Sequence, residues 1–185
     1  MPIELMLGNR NYWYQHSIGL PLKDNSKFGF FHTHSTHFFY DNTKQEVMTQ
    51  AYLNYKISSW MKVNAGVFYA TKPGINPSIS LHIYKKFKDL FVLVVPRIDV
   101  YKNPSYDVMS MVEYKPRLGK IQFYSRLQTL FSYKGGTHAR SYQNIRIGVN
   151  NYETQYGIAM NYDAYGPNKK YFSNYGVFVK RDLNF

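Results

Sequence analysis

The sequence predicts an all-β chain, residues 1–185, rolled into one antiparallel up-and-down barrel of about twelve strands, with ten as the fallback. Three observations predict it. Apolar and polar residues alternate with period 2, the mark of strands rather than of 3.6-residue helices. The alternating segments reach ten residues or more, where ordinary globular strands run about five or six. Turn-forming clusters separate them roughly every 15 residues.

The elements follow in chain order. Ile3, Leu5 and Leu7 alternate with Glu4, Met6 and Gly8 and make the shortest candidate, the twelfth strand. Segments 11–22 and 28–40 flank the turn cluster Lys23-Asp24-Asn25-Ser26-Lys27. In 47–58, Val47, Thr49, Ala51, Leu53 and Tyr55 alternate with Met48, Gln50, Tyr52, Asn54 and Lys56. In 61–71, Val63, Ala65 and Val67 alternate with Lys62, Asn64 and Gly66 before the turn Lys72-Pro73-Gly74. Segments 77–87 and 90–101 precede the turn Lys102-Asn103-Pro104, and 106–116 follows it. Segments 121–133 and 141–151 flank Lys134-Gly135-Gly136. Segments 154–165 and 174–185 flank Gly166-Pro167-Asn168. An even strand count suits a single-chain barrel with both ends on one side.

Composition narrows the class. Aromatics make up 18% of the chain, including 19 Tyr, which excludes a disordered chain. No apolar run is long enough for a membrane-crossing helix. With no cysteine there is no disulfide framework, thiolate metal site or cysteine nucleophile. The formal charge is +12, yet the basic residues are dispersed rather than gathered into a stripe, so nucleic acid is not an expected partner. Met1-Pro2-Ile3-Glu4 lacks the basic start and apolar stretch of a secretory signal. The chain is therefore expected to be cytoplasmic, or a mature region whose signal has been removed.

The two faces of each strand decide between these. A soluble barrel buries its apolar face; a membrane barrel turns it outward to lipid. The polar face here carries both signs of charge among small residues, as a packed, hydrated lumen does. It places Lys56, Lys62, Lys86, Arg97, Lys115, Arg126, Arg146 and Lys180 inside with Asp99, Asp107, Glu113, Asp163 and Asp182. Tyrosines gather near segment ends, as at Tyr12, Tyr40, Tyr101, Tyr133 and Tyr162, and their amphipathic rings suit a membrane–water boundary. A tilted strand needs about 9–11 residues to cross a bilayer, which these segments supply.

With those strands in place, the ending becomes informative: Tyr175, Gly176, Val177, Val179, Leu183 and Phe185 give a last strand with a glycine, alternating apolar residues and a terminal aromatic. The chain resembles the outer-membrane β-barrel class of Gram-negative bacteria, over its whole length. The resemblance implies an outer-membrane location, outer-membrane lipid and the barrel-insertion machinery as partners, other envelope proteins as further partners, and a C-terminal insertion signal at those residues. It also makes the C-terminus periplasmic, with outer loops near 41–46, 72–76, 102–105, 134–140 and 166–173.

Chemistry-bearing constellations are few. His32-Thr33-His34 puts two imidazoles on one strand face, a weak metal candidate without a third ligand. No metal or other cofactor is expected. Outer-membrane phospholipases and lipid A deacylases use Ser with His on the barrel wall, but their His-x-Ser spacing with a following Asn is absent. His16 and Ser17 are adjacent and so face opposite ways, and His138 lies three residues before Ser141. The expected function is non-enzymatic: a structural or accessory subunit of an envelope complex, or a narrow channel leaning toward anions. An outer-membrane lipid hydrolase is the alternative, and a soluble barrel holding an apolar ligand the second alternative.

Overall fold

Period-2 patterning over the whole chain gives one closed sheet. The computed structural model describes residues 1–41, 45–72, 74–101 and 103–183, and among them there is no helix. The strands are β1 (Pro2–Gly8), β2 (Asn11–Pro21), β3 (Phe28–Phe39), β4 (Gln45–Lys56), β5 (Met61–Ala70), β6 (Gly74–Lys86) and β7 (Leu90–Asp99). They continue with β8 (Ser105–Tyr114), β9 (Arg117–Leu118), β10 (Ile121–Lys134), β11 (Thr137–Asn151), β12 (Thr154–Tyr165) and β13 (Lys170–Asp182). Strand β9 is a two-residue stub folded back on Ile121 and Gln122. The other twelve are the staves: each pairs antiparallel with its chain neighbours, β8 with β10 across the stub, and β1 closes on β13. The predicted Ile3–Gly8 strand is thus the twelfth stave, and ten is excluded.

Strands about 4.8 Å apart, tilted about 40° in a barrel, give a backbone diameter of about 24 Å. Side chains from opposite walls can therefore meet. The sheet's inner face carries Met6, Trp13, Tyr124, Ala159 and Phe178 as a buried apolar cluster. Its outer face exposes Leu7, Leu53, Val67, Ile79, Val108, Leu127, Ile147, Ile158, Val177 and Val179. Bulky aliphatics on the solvent side and arginines at the centre invert the soluble pattern.

Several predicted boundaries move. The predicted loops 134–140 and 166–173 shrink to short turns, because β11 starts at Thr137 and β13 at Lys170. Gly135 (φ 56°) and Gly136 (φ 76°) supply the left-handed backbone that a two-residue hairpin turn needs. A register shift between Ser132 and Tyr133 absorbs the odd residue. The stretch Thr137-His138-Ala139-Arg140 hides four residues of strand from the period-2 reading. Pro73 and Lys102 of the predicted turns, and Phe185 of the C-terminal motif, lie outside the described residues.

Candidate functional site

The interior charges are held by strand parity at three levels. At mid-height, Glu4 on β1 sits between Arg126 on β10 and Arg146 on β11. Its Oε2 is 2.6 Å from Arg126 Nη1 and its Oε1 is 2.7 Å from Arg146 Nε. Three staves separate β1 from β10 along the wall, so this contact crosses the lumen. Arg146 is fully buried. It donates from Nη1 to Asn161 Oδ1 at 2.8 Å and to the Ile145 carbonyl at 2.9 Å. Its guanidinium lies 5.0 Å from the Trp13 ring and 5.8 Å from Phe178. The apolar cluster thus stacks under the cation that the carboxylate neutralises.

At the end where the chain starts and stops, Glu113 accepts from Lys180 Nζ (3.0 Å), Lys115 Nζ (2.9 Å) and the Tyr124 hydroxyl (2.8 Å). Asp182 adds a second carboxylate 3.3 Å from Lys180 and 3.6 Å from Lys115. At the opposite, distal end, Arg140 on β11 holds Asp163 at 2.7 Å and reaches Glu46 on β4 at 3.8 Å. The Tyr165 hydroxyl donates to Glu46 at 2.7 Å. Strands β11 and β4 are six staves apart in a ring of twelve, so Arg140 and Glu46 form a crossbar spanning the bore.

On the other wall, Arg97 on β7 pairs with Asp107 and, at 3.1 Å, with Asp99. Its guanidinium caps the Phe68 ring at 3.4 Å. Lys62 is half-buried over the Tyr84 ring at 5.9 Å. Beside these, Tyr52 donates to or accepts from Ser78 at 2.7 Å, and Asn64 donates to the Ser80 carbonyl.

The structure joins the sequence-selected residues into groups: Glu113 with Lys115, Lys180 and Asp182; Arg97 with Asp99 and Asp107; Arg126 with Arg146. Sequence reasoning missed Glu4, Glu46 and Arg140, the residues that carry charge from one wall to the other. Glu4 was legible, since it alternates with Ile3 and Leu5. Arg140 and Glu46 lay just outside the predicted strand limits. Of the C-terminal residues, Tyr175, Val177 and Val179 face outward and exposed. Gly176 faces Gly8 across the β1–β13 pairing, and the Leu183 amide donates to the Met1 carbonyl at 2.8 Å.

The histidines divide. His32 and His34 lie on the outer wall and are joined there by His16 from β2. His16 Nε2 is 3.3 Å from His32 Nδ1, and the His16 and His34 rings stack at 5.5 Å. Tyr14 holds His16 Nδ1, Thr49 holds His32 Nε2 and Thr36 holds His34 Nε2. Among the described residues no three His, Asp or Glu side chains are arranged to hold a metal. Ser17, facing inward, bonds Thr33 at 2.9 Å and does not meet His16. At the distal end, His138 Nε2 is 3.1 Å from Ser141 Oγ, and His138 Nδ1 is 2.7 Å from the Gly166 carbonyl.

No protein-family model matches the chain, and no curated protein matches it. Solved structures do. The chain is similar to the NanC porin, at 13% identity over 98% of this chain and 99% of that one, with a TM-score of 0.59. It is similar to the KdgM porin in complex with disordered oligogalacturonate, at 12% identity over 100% of both chains, with a TM-score of 0.57. The chain therefore has the closed twelve-strand fold of the outer-membrane porin barrels.

Proposed function

We propose that this chain sits in the bacterial outer membrane and acts as a narrow channel leaning toward anions. One observation carries the reading: the excess of basic residues stands at the two mouths, while charged pairs cross the bore at mid-height and at the distal end and narrow it. Inside, acids largely match bases, so the +12 surplus falls mainly on the two rims. Lys23, Lys27, Lys88, Arg117, Lys120 and Arg181 stand at the terminal end, and Arg10, Lys72, Lys169 and Lys170 at the distal end. Basic mouths concentrate anions before they enter. Acidic saccharides of the oligogalacturonate kind fit that field.

The test is single-channel recording with refolded protein in a planar bilayer. Small discrete steps are expected, with a reversal potential toward the anion, and larger steps after Arg140→Ala removes the distal crossbar. Folded protein that gives no steps in either form, or that selects cations, overturns the reading. A second reading, a structural subunit of an envelope complex, is favoured by the imidazole cluster on the outer wall. Polar rings there are better satisfied by protein than by lipid tails.

A further inference from the structure

The lumen leaves the pair on the outer wall of β11 unexplained. His138 and Ser141 are three residues apart, which on a regular strand sets them on opposite faces. The register shift between Ser132 and Tyr133 brings them to one face: His138 pairs with Tyr133 and Ser141 with Phe131, both exposed outward. The sequence pattern alone excluded this meeting; the bulge creates it.

Hydrogen bonding fixes the ring's polarity. The Gly166 carbonyl can only accept, so the 2.7 Å contact places the proton on His138 Nδ1. In the neutral ring Nε2 is then the acceptor, and the Ser141 hydroxyl, 3.1 Å away, donates to it. That is the order a serine nucleophile needs: a base on its hydroxyl, and a third group that orients the base. The orienting carbonyl is itself fixed in a tight turn, since Gly166 adopts φ 71° and its amide donates to the Ala139 carbonyl. His138 is buried beneath the Tyr133 ring, whose plane stands nearly perpendicular at 5.9 Å.

The level on the wall names the substrate. Tyr106 pairs with Tyr133, Tyr162 pairs with Gln143, and Tyr162 packs edge-on against Tyr175 at 5.7 Å. All four tyrosines are exposed outward. Such a girdle marks the boundary between headgroups and acyl chains, which is where acyl esters of lipids lie. Phe131, paired directly with Ser141, offers an apolar surface beside the serine.

We propose that Ser141 and His138 form a nucleophile–base dyad that hydrolyses a fatty acyl ester of a lipid in the leaflet at the distal end. The proposal rests on the membrane placement above, not on conduction. Ser141 Oγ attacks the ester carbonyl carbon while His138 Nε2 takes its proton. The bond to the lipid alcohol then breaks, and that oxygen leaves with the proton from His138. Water attacks the acyl-serine, gives a proton to His138, and the fatty acid departs as the proton returns to Ser141. Gln143, the next outward residue on β11, sets a side-chain amide on the same face for the oxyanion.

The experiment uses the full chain refolded in mixed micelles, with radiolabelled diacyl phosphatidylethanolamine in one arm and lipopolysaccharide in the other. Fatty acid release is expected in at least one arm, and which arm responds identifies the alcohol. Ser141→Ala should bring release to background. His138→Gln should slow it about a hundredfold or more, the share a general base supplies. A fluorophosphonate should label Ser141 in the parent chain and not in His138→Gln. Heat-dependent gel mobility confirms that each variant is folded. Release no greater from the parent chain than from Ser141→Ala, in both arms, overturns the proposal. Conductance of the same preparation reports on the channel reading separately.

Discussion

Replacing Glu4 with Gln tests whether the interior is braced by charge. Glu4 is 1% exposed and meets Arg126 twice, at 2.6 and 2.8 Å, and Arg146 once, at 2.7 Å. Glutamine keeps the shape and removes the charge. Arg146 retains Asn161 and the Ile145 carbonyl. Arg126 loses both of its contacts to a carboxylate, and two buried cations are left facing each other. Breaking a buried pair in this way costs about 3–5 kcal/mol. Glutamine's carbonyl still accepts one hydrogen bond, so a value of about 3 kcal/mol is expected. Trp13 is 2% exposed and touches Arg146, so its fluorescence reports the site directly. In urea unfolding from phospholipid vesicles, with a slope of about 2 kcal/mol per molar, the midpoint should fall by roughly 1.5 M. Adding Arg126→Met should recover part of the loss, because the unpaired charge disappears with it. A loss under about 1 kcal/mol, or no recovery in the double variant, refutes the bracing argument.

Two further outcomes follow from the walls of the barrel. A Cβ on Gly157 would lie 2.2 Å from the Ile147 carbonyl oxygen, a backbone atom that cannot step aside. Gly157→Ala should therefore cost about 1–3 kcal/mol in the same unfolding assay, and a change below about 0.5 kcal/mol would show that the strands relax freely. His16→Leu with His32→Leu removes polar rings from the outer wall. If that wall meets lipid, the double variant should be about 1 kcal/mol more stable in vesicles. A less stable variant that also loses an oligomer on native gels would instead favour the subunit reading.

The barrel was legible because its signal is repeated in every stave. Arg126 and Tyr124 fall on one parity and Leu127 and Phe123 on the other, and that parity alone separates lumen from wall. Pairing across the bore was not legible. Glu4 and Arg126 stand 122 positions apart and Glu4 and Arg146 stand 142 apart; no local pattern ties them. The histidines show the same limit. His32 and His34 share a face, as strand geometry requires, but the partner that meets His32 comes from β2 through register, not spacing. The contact between His138 and Ser141 depends on a bulge, and a bulge breaks the very periodicity used to read the chain.

The N-terminal ammonium of Met1 donates to the Leu183 carbonyl at 2.5 Å, bridging 182 positions, and β1 zips along β13 over seven pairs. Such a hoop has no rim of its own until its final slat is in place. Before that, two bare margins of backbone offer themselves to any neighbour. Closure must therefore wait for both ends of the chain, and a nick that frees the closing slat would turn a sealed ring into a sticky ribbon.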